Sequence, residues 1–482
     1  MFPIKTPTAL LLLMVCVSCG SVSNKTESKP NILFLFADDQ SYNTINALGN
    51  EEVITPTLDH LVKSGVSFTH AYNMGAWHGA VCVASRTMMS TGRMIWRAND
   101  LVPKLKDTTV IKQLWGNIMK NAGYDTYMAG KWHVATDVSK CYANLGTIRP
   151  GMPPHIPEGY NRPQSKNDTT WRAWDKKWGG YWQGGKHWSE VLADETIGFI
   201  ETAAKKDKPF FMYVAFNAPH DPRQSPKEFV DMYPLENISA PKTFLPEYPY
   251  KDAIGCDVKL RDEALAPFPR TEYAVRVNRQ EYYALITHLD KQIGRIIDAL
   301  KKSGEMDNTY IFYTADHGLA CGNYGLMGKQ NMYDCSIRPP LIVIGPDIPK
   351  DKRVDLDVYL QDIMPSTLEL AGVVKPTYVE FSSLLKQARG EKKESEYEAV
   401  YGCYMQSQRM IRNKDYKLIL YPEVPKVLLF DLKADPLEMN DLSDNEAYSD
   451  TTRTLFKQLL VLQQQMGDTL NLRTDFPSLY QP

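Results

Sequence analysis

Residues Asn31–Ala37 (NILFLFA) form an almost unbroken apolar run, the pattern of a strand buried on both faces of a parallel sheet. The run ends in Asp38-Asp39. The pattern returns at Tyr310–Ala315 before Asp316-His317-Gly318, at Phe210–Phe216 before Asn217-Ala218-Pro219-His220, and at Tyr124–Ala129 before Gly130-Lys131-Trp132-His133. Four predicted strands from distant parts of the chain thus finish in charged or metal-ligating side chains. Ligands bind beyond the carboxyl ends of strands in open α/β sheets, so the pattern predicts that these groups converge.

Helical periodicity fills the gaps. Thr55-Pro56 reads as N-cap and first turn of a helix carrying Leu58, Leu61 and Val62 and ending at Gly65. Asp107–Asn121 places Val110, Ile111, Leu114 and Ile118 on one face, with Gly123 beyond. Glu281–Lys302 is the clearest, with Leu285, Leu289, Ile293, Ile296, Ile297 and Leu300 at helical spacing before Gly304. Alternating strands and helices predict an α/β fold, a large mostly parallel sheet covered on both faces.

Two stretches break the rhythm. Asp137–Lys186 is irregular and rich in aromatics (Trp171, Trp174, Trp178, Tyr181 and Trp182, with Trp188 just after); such rings either stack on sugars or pack a core of the loop's own, and both readings stand. Tyr233–Tyr273 is a second, Pro-rich insertion. From Glu394 the texture changes again. Ala399–Tyr404, Tyr416–Tyr421, Val427–Asp431 and the amphipathic Asp450–Met466 predict a small antiparallel sheet with a terminal helix. The resulting division is a targeting segment at 1–18, a linker at 19–30, a catalytic domain at 31–393 and a C-terminal subdomain at 394–482.

Composition narrows the partners. With 55 basic against 57 acidic side chains, the chain has no overall field for nucleic acid, and none is expected as a partner. Lys5 followed by the apolar Ala9–Val17 has the form of a secretory signal too short to span a bilayer. Cys16-Val17-Ser18-Cys19-Gly20 and a polar tether resemble a bacterial lipoprotein signal with Cys19 as the lipidated residue, although Cys16 stands where leucine is usual. The expectation is export, to the periplasm or as an outer-membrane lipoprotein; cleavage to a soluble periplasmic form stays open.

The most informative segment runs from Val81-Cys82-Val83-Ala84-Ser85-Arg86 to Thr91-Gly92-Arg93. It resembles the type I sulfatases, which carry Cys-x-Pro-x-Arg and then Thr-Gly-Arg; Ala84 stands where proline is usual, a tolerated variant. The resemblance continues in order through Asp38-Asp39, Gly123–His133, Asn217–His220, Asp316-His317-Gly318 and Gly328-Lys329, nearly the whole mature chain. It implies an alkaline phosphatase-like α/β/α sandwich and oxidation of Cys82 to formylglycine by a maturation enzyme. It also implies one divalent cation, Ca²⁺ or alternatively Mg²⁺, held by Asp38, Asp39, Asp316, His317 and modified Cys82. The oxygen donors suit a hard cation, and a helix over Ala84–Thr91 would place the nucleophile at a helix N-terminus, where anions are stabilised. Lys131, Lys329 and Arg86 are the candidates to grip sulfate oxygens. By the same resemblance, His220 protonates the departing oxygen and is counted with Lys131 and Lys329 as substrate-binding, while His133 takes the proton that lets sulfate leave.

Trp77, His78, Asp221 and Arg223 flank these motifs as further candidate substrate contacts. The function expected is an exported sulfatase acting on a sulfated carbohydrate. A phosphoester or phosphonate-monoester hydrolase with the same nucleophile and metal, and a decayed glycan-binding lipoprotein, are the alternatives.

Overall fold

The structure, a computed structural model, describes residues 1–4 and 29–480. The expected signal segment and the anchor residue Cys19 fall in or beside residues 5–28, outside the described part. Among the described residues no helix is long and apolar enough to cross a membrane.

Among the described residues nine strands precede residue 360: β1 (Asn31–Ala37), β2 (Val66–Tyr72), β3 (Gly75–Ala76), β4 (Asp125–Lys131), β5 (Asn144–Arg149), β6 (Phe210–Ala215), β7 (Thr309–Ala315), β8 (Leu341–Ile344) and β9 (Lys352–Tyr359). Four follow: β10 (Val400–Tyr404), β11 (Gln408–Arg412), β12 (Tyr416–Tyr421) and β13 (Lys426–Asp431). Eight of them form one sheet in the order β5-β4-β6-β1-β7-β8-β2-β9. Every pair in it is parallel except those of β8, which runs against both β7 and β2. The four strands that end in chemistry, β4, β6, β1 and β7, are adjacent and mutually parallel, so their carboxyl ends share one edge.

Period-two alternation explains the two covered faces. Ile32, Phe34 and Phe36 of β1 enter one core with Trp115, Ile118, Ile363 and Leu368. Leu33, Leu35 and Ala37 enter the opposite core, beneath the helices Pro56–Ser64, Trp188–Ala203 and Glu272–Lys302. The architecture is the expected α/β/α sandwich. Gly130 shows how tightly the active edge is built: it has φ +90°, and a Cβ there would lie 1.8 Å from the Ala215 carbonyl oxygen.

Several expectations are corrected. Thr55 does not cap its helix with its side chain; its hydroxyl bonds Asp59 at 3.1 Å, and the first-turn N–H groups of Thr57 and Leu58 donate instead to Asp290, at 3.0 and 2.7 Å. Asp107–Asn121 is two short helices, Thr108–Ile111 and Trp115–Asn121, because Leu114 turns extended and Trp115 enters the core, donating to Thr367 at 2.8 Å. The long helix begins at Glu272, not Glu281, where the Thr271 hydroxyl caps Ala274 N–H at 3.1 Å.

The aromatic insertion packs against the main core, which Tyr181 and Trp188 join beside Leu33 and Leu35 of β1. Trp171, Tyr181, Trp182 and Trp188 are buried, and the Tyr181 hydroxyl donates to the carbonyls of Asn217 and His220 at 2.7 and 3.1 Å. Its role is to brace the His220 loop. The second sheet, β13-β12-β11-β10-β3, is antiparallel except where β10 takes the two-residue β3 alongside it in parallel. The small sheet therefore includes a strand from just before Cys82.

Candidate active site

Cys82 is the second residue of the helix Val81–Thr91, at the end where backbone N–H groups are free and the helix dipole is positive. The helix closes on Gly92, at φ 68°, whose N–H reaches the Met88 carbonyl at 2.8 Å. Cys82 Sγ lies 3.3 Å from His133 Nδ1. Burial alone would push the thiol up, but Lys131, His133, His317 and Lys329 outweigh it and hold the group well below the usual thiol range.

The acidic groups come from the ends of β1 and β7. Asp38, Asp39 and Asp316 are buried, and ligand atoms of Asp38, Cys82, Asp316 and His317 all lie within 4.8 Å of one another. Asp38, Asp39 and His220 form an overlapping group. Burial and Asp316 push the Asp38 carboxyl well up, which is the energetic cost of crowding carboxylates at low dielectric. His317 Nδ1 donates to the Gly318 carbonyl at 2.9 Å, and Nε2 faces Asp39 Oδ1 at 3.3 Å and Asp316 Oδ1 at 3.4 Å. Burial opposes a charge on the ring, but Asp316 and Asp39 outweigh it and raise the imidazole above its ordinary value. Asp38 Oδ1 and His317 Nε2 are buried without a partner, the arrangement expected of ligand atoms aimed at a cation.

Two lysines close the pocket. Lys131 Nζ, on the last residue of β4, bonds Asp38 Oδ2 at 2.5 Å, and Lys329 Nζ bonds both Asp39 oxygens at 2.7 and 3.0 Å. Arg86 is placed differently from the expectation that it grips sulfate. It is wholly buried; its Nε donates to Asp316 Oδ2 at 3.0 Å and its Nη1 to the Lys131 carbonyl at 2.9 Å, with the guanidinium over the Phe36 ring. Arg86 holds one acidic group and one lysine in place through Nε and Nη1, while its buried Nη2 has no partner.

His220 Nδ1 donates to the Asp221 carbonyl at 2.7 Å, which turns Nε2 toward Asp39, 3.8 Å away. Burial, then Lys329, Lys131 and Arg261, hold the imidazole well below its ordinary value. His133 has φ 55°, and its ring lies against Gly151, where a Cβ would come within 2.4 Å of it.

Cys82, His133, His220 and Lys329 open onto a cleft of about 460 Å³, walled by Gly79, Ala80, Pro150–Met152 and Leu260–Asp262, with Gln330 beside Lys329. Arg261 and Asp262 were not legible in the sequence; they sit in the aperiodic insertion, and only their adjacency as an Arg-Asp pair marks them. Of the flanking candidates, Asp221 is buried beside His220, while Arg223 points away, donating to Asn278 and Cys321. Trp77 and His78 do not line the cleft; His78 Nδ1 accepts the Ala80 N–H at 3.0 Å just before the Cys82 helix.

Comparison with known proteins follows the same lines. Residues 30–373 match the sulfatase family model, and residues 322–465 match the model described as N-sulphoglucosamine sulphohydrolase, C-terminal. The chain is 26% identical to an N-acetylglucosamine-6-O-sulfatase of Bacteroides thetaiotaomicron, over 96% of this chain and 92% of that one. It is 27% identical to an arylsulfatase of Clostridium perfringens, over 90% and 94%. In fold it is similar to a protein solved in complex with its substrate D-glucosamine-2-N,6-O-disulfate, at TM-score 0.70 and 22% identity over 92% of this chain and 99% of that one. It is also similar to the phosphonate monoester hydrolase of Agrobacterium radiobacter, at TM-score 0.68 and 20% identity over 91% and 96%. With a family model spanning well over half its length and a buried acidic and cationic pocket at the carboxyl edge of its sheet, the chain belongs to the sulfatase family, the sulfuric ester hydrolases of the alkaline phosphatase-like superfamily.

Proposed function

We propose that the chain is an exported bacterial enzyme that removes sulfate from a carbohydrate, using a formylglycine made from Cys82 by a maturation enzyme and one divalent cation. The carrying observation is Cys82 at a helix N-terminus, 3.3 Å from His133 and flanked by two lysines, at the floor of an open cleft. Three aspartates and the His317 imidazole fit a hard cation, calcium before magnesium, and the unpartnered Asp38 Oδ1 and His317 Nε2 are the atoms that would meet it. When present, the cation supplies positive charge and the formylglycine supplies a geminal diol that can release sulfate.

The chain's own residues do the rest. Lys131 and Lys329 are the cations free to turn from Asp38 and Asp39 to sulfate oxygens once the aspartates are otherwise neutralised. His220 offers Nε2 to the departing sugar oxygen, and the anionic ester opposes the lysines that suppress its protonation. His133, in contact with position 82, is placed to accept a proton there.

The carbohydrate reading is supported by the sulfated sugars named for relatives and neighbours. The export reading, including an anchor at Cys19, is supported by the sequence of the first thirty residues. Residues 31–393 are proposed as the catalytic domain and 394–482 as the subdomain; Gln408 of β11 donates to the Gln330 carbonyl at 2.8 Å, bracing the Lys329 loop. Side-by-side turnover of aryl sulfate, aryl phosphate and an aryl phosphonate monoester, followed by monosulfated sugars, tests the reading. Preference for the sulfates, lost on chelation, supports it; preference for the phosphonate would replace it with a phosphonate-monoester hydrolase.

A further inference from the structure

Among the described residues, Arg261 is the one cation on the cleft wall that none of the expected chemistry uses. Its side chain is 37% exposed, whereas the Asp221 and Asp262 side chains behind it are each 3% exposed. Arg261 Nη2 and Nε donate to Asp262 Oδ1 at 2.5 and 3.1 Å, and Nε lies 3.7 Å from Asp221 Oδ2. Asp262 Oδ2 is held in turn by Gln330 Nε2 at 2.5 Å, and the Tyr160 hydroxyl donates to Asp221. The guanidinium is therefore fixed from behind by two buried carboxylates. Nη1 also meets Met152 Sδ at 2.5 Å. A guanidinium has five N–H donors, and these contacts leave one hydrogen on each of Nη1 and Nη2 for the cleft.

Charge decides what those hydrogens can read. One guanidinium between two carboxylates carries no free positive charge, so this wall does not attract a second anion.

Resting on the sulfatase reading above, we infer that Arg261, whose positive charge is more than balanced by Asp221 and Asp262, is the specificity-determining residue of the cleft: it donates to uncharged hydroxyls of the sugar beside the sulfate and selects substrates with no second anionic group there. A site built to hydrogen-bond a hydroxyl discriminates strongly against a partner lacking it, and a second sulfate would be placed against two carboxylates.

The test uses the matured full-length protein. Turnover of 4-nitrophenyl sulfate is measured beside a panel of monosulfated monosaccharides, and the best sugar is compared with its counterpart bearing one more sulfate. The inference expects kcat/KM for the monosulfated sugar to exceed that for the disulfated one by at least about tenfold. Arg261→Ala should lower the ratio of sugar to aryl sulfate kcat/KM by about tenfold or more, chiefly through KM, and Asp262→Asn, which is isosteric and frees positive charge, should narrow the mono-to-disulfated preference. Equal or better use of the disulfated sugar by the wild type, no sugar turnover despite aryl sulfate turnover, or a proportional loss on both substrates in folded Arg261→Ala would overturn it. Absence of aryl sulfate turnover would instead sink the sulfatase chemistry on which it rests.

Discussion

Arg86 Nε donates to Asp316 Oδ2 at 3.0 Å across 230 residues of chain, both side chains wholly buried. The pair joins the helix that presents Cys82 to the strand end that presents Asp316, so a cation of the nucleophile motif serves the acidic cluster. Replacing Arg86 by Met leaves Asp316 without its guanidinium in the low-dielectric core. We expect a loss of about 3–5 kcal/mol in urea unfolding of the metal-free protein. Calcium binding should weaken about 10–100-fold by calorimetric titration. A variant that binds calcium as tightly as wild type would show that Arg86 does not position Asp316.

Gly151→Ala tests the placement of His133. The added Cβ would sit 2.4 Å from the imidazole, so the ring must move away from position 82. Misplacement of a catalytic group by about 1 Å costs on the order of 10²-fold in kcat. The expected result is that loss with little change in unfolding midpoint; unchanged kcat would place His133 outside the reaction.

Asp290 makes a pH prediction away from the active site. Burial raises its carboxyl from an ordinary 3.8 to about 6, although it accepts the N–H groups of Leu58 and Thr57. Between those values the folded protein holds a proton that the unfolded chain has released, so this contribution to stability is full below pH 4 and falls as pH rises through 6. At 1.36 kcal/mol per unit the loss is about 3 kcal/mol at most. Asp290→Asn keeps an acceptor for the helix and cannot titrate. The stability difference between wild type and variant should shift in the variant's favour between pH 4 and pH 7; a pH-independent difference would contradict it.

Lys417 on β12 is buried between Asp334, at 2.5 Å, and Glu438, and also donates to the Met332 carbonyl at 3.2 Å. It bonds the small sheet to the segment that follows Lys329. Lys417→Met strands two carboxylates and should cost about 3–5 kcal/mol, read as a lower urea midpoint. An unaltered midpoint would mean that apolar packing alone holds the two parts together.

These results explain how far the sequence could be read. β1, β4, β6 and β7 were legible because central parallel strands are buried on both faces, and their terminal residues named the site. β5 was not: as an edge strand with no fully buried residue it carries no apolar pattern. β11 was hidden by its letters, QRMIR, since Arg409 is buried by pairing with Asp468 at 2.6 and 2.9 Å, 59 residues downstream, and by donating to the Met405 and Gln408 carbonyls. Motif spacing gave the site residues their place, whereas Arg86 and Arg261 took their roles from partners far away in sequence, which no local pattern encodes.

The central claim is that Cys82 becomes the nucleophile, and the most direct measurement is the mass of its tryptic peptide from protein produced with a maturation enzyme, read beside sulfate release by the same sample. The account predicts an aldehyde in place of the thiol, sulfate release that rises with the converted fraction, and none from Cys82→Ala. An unmodified thiol in a sample that releases sulfate at full rate would contradict it.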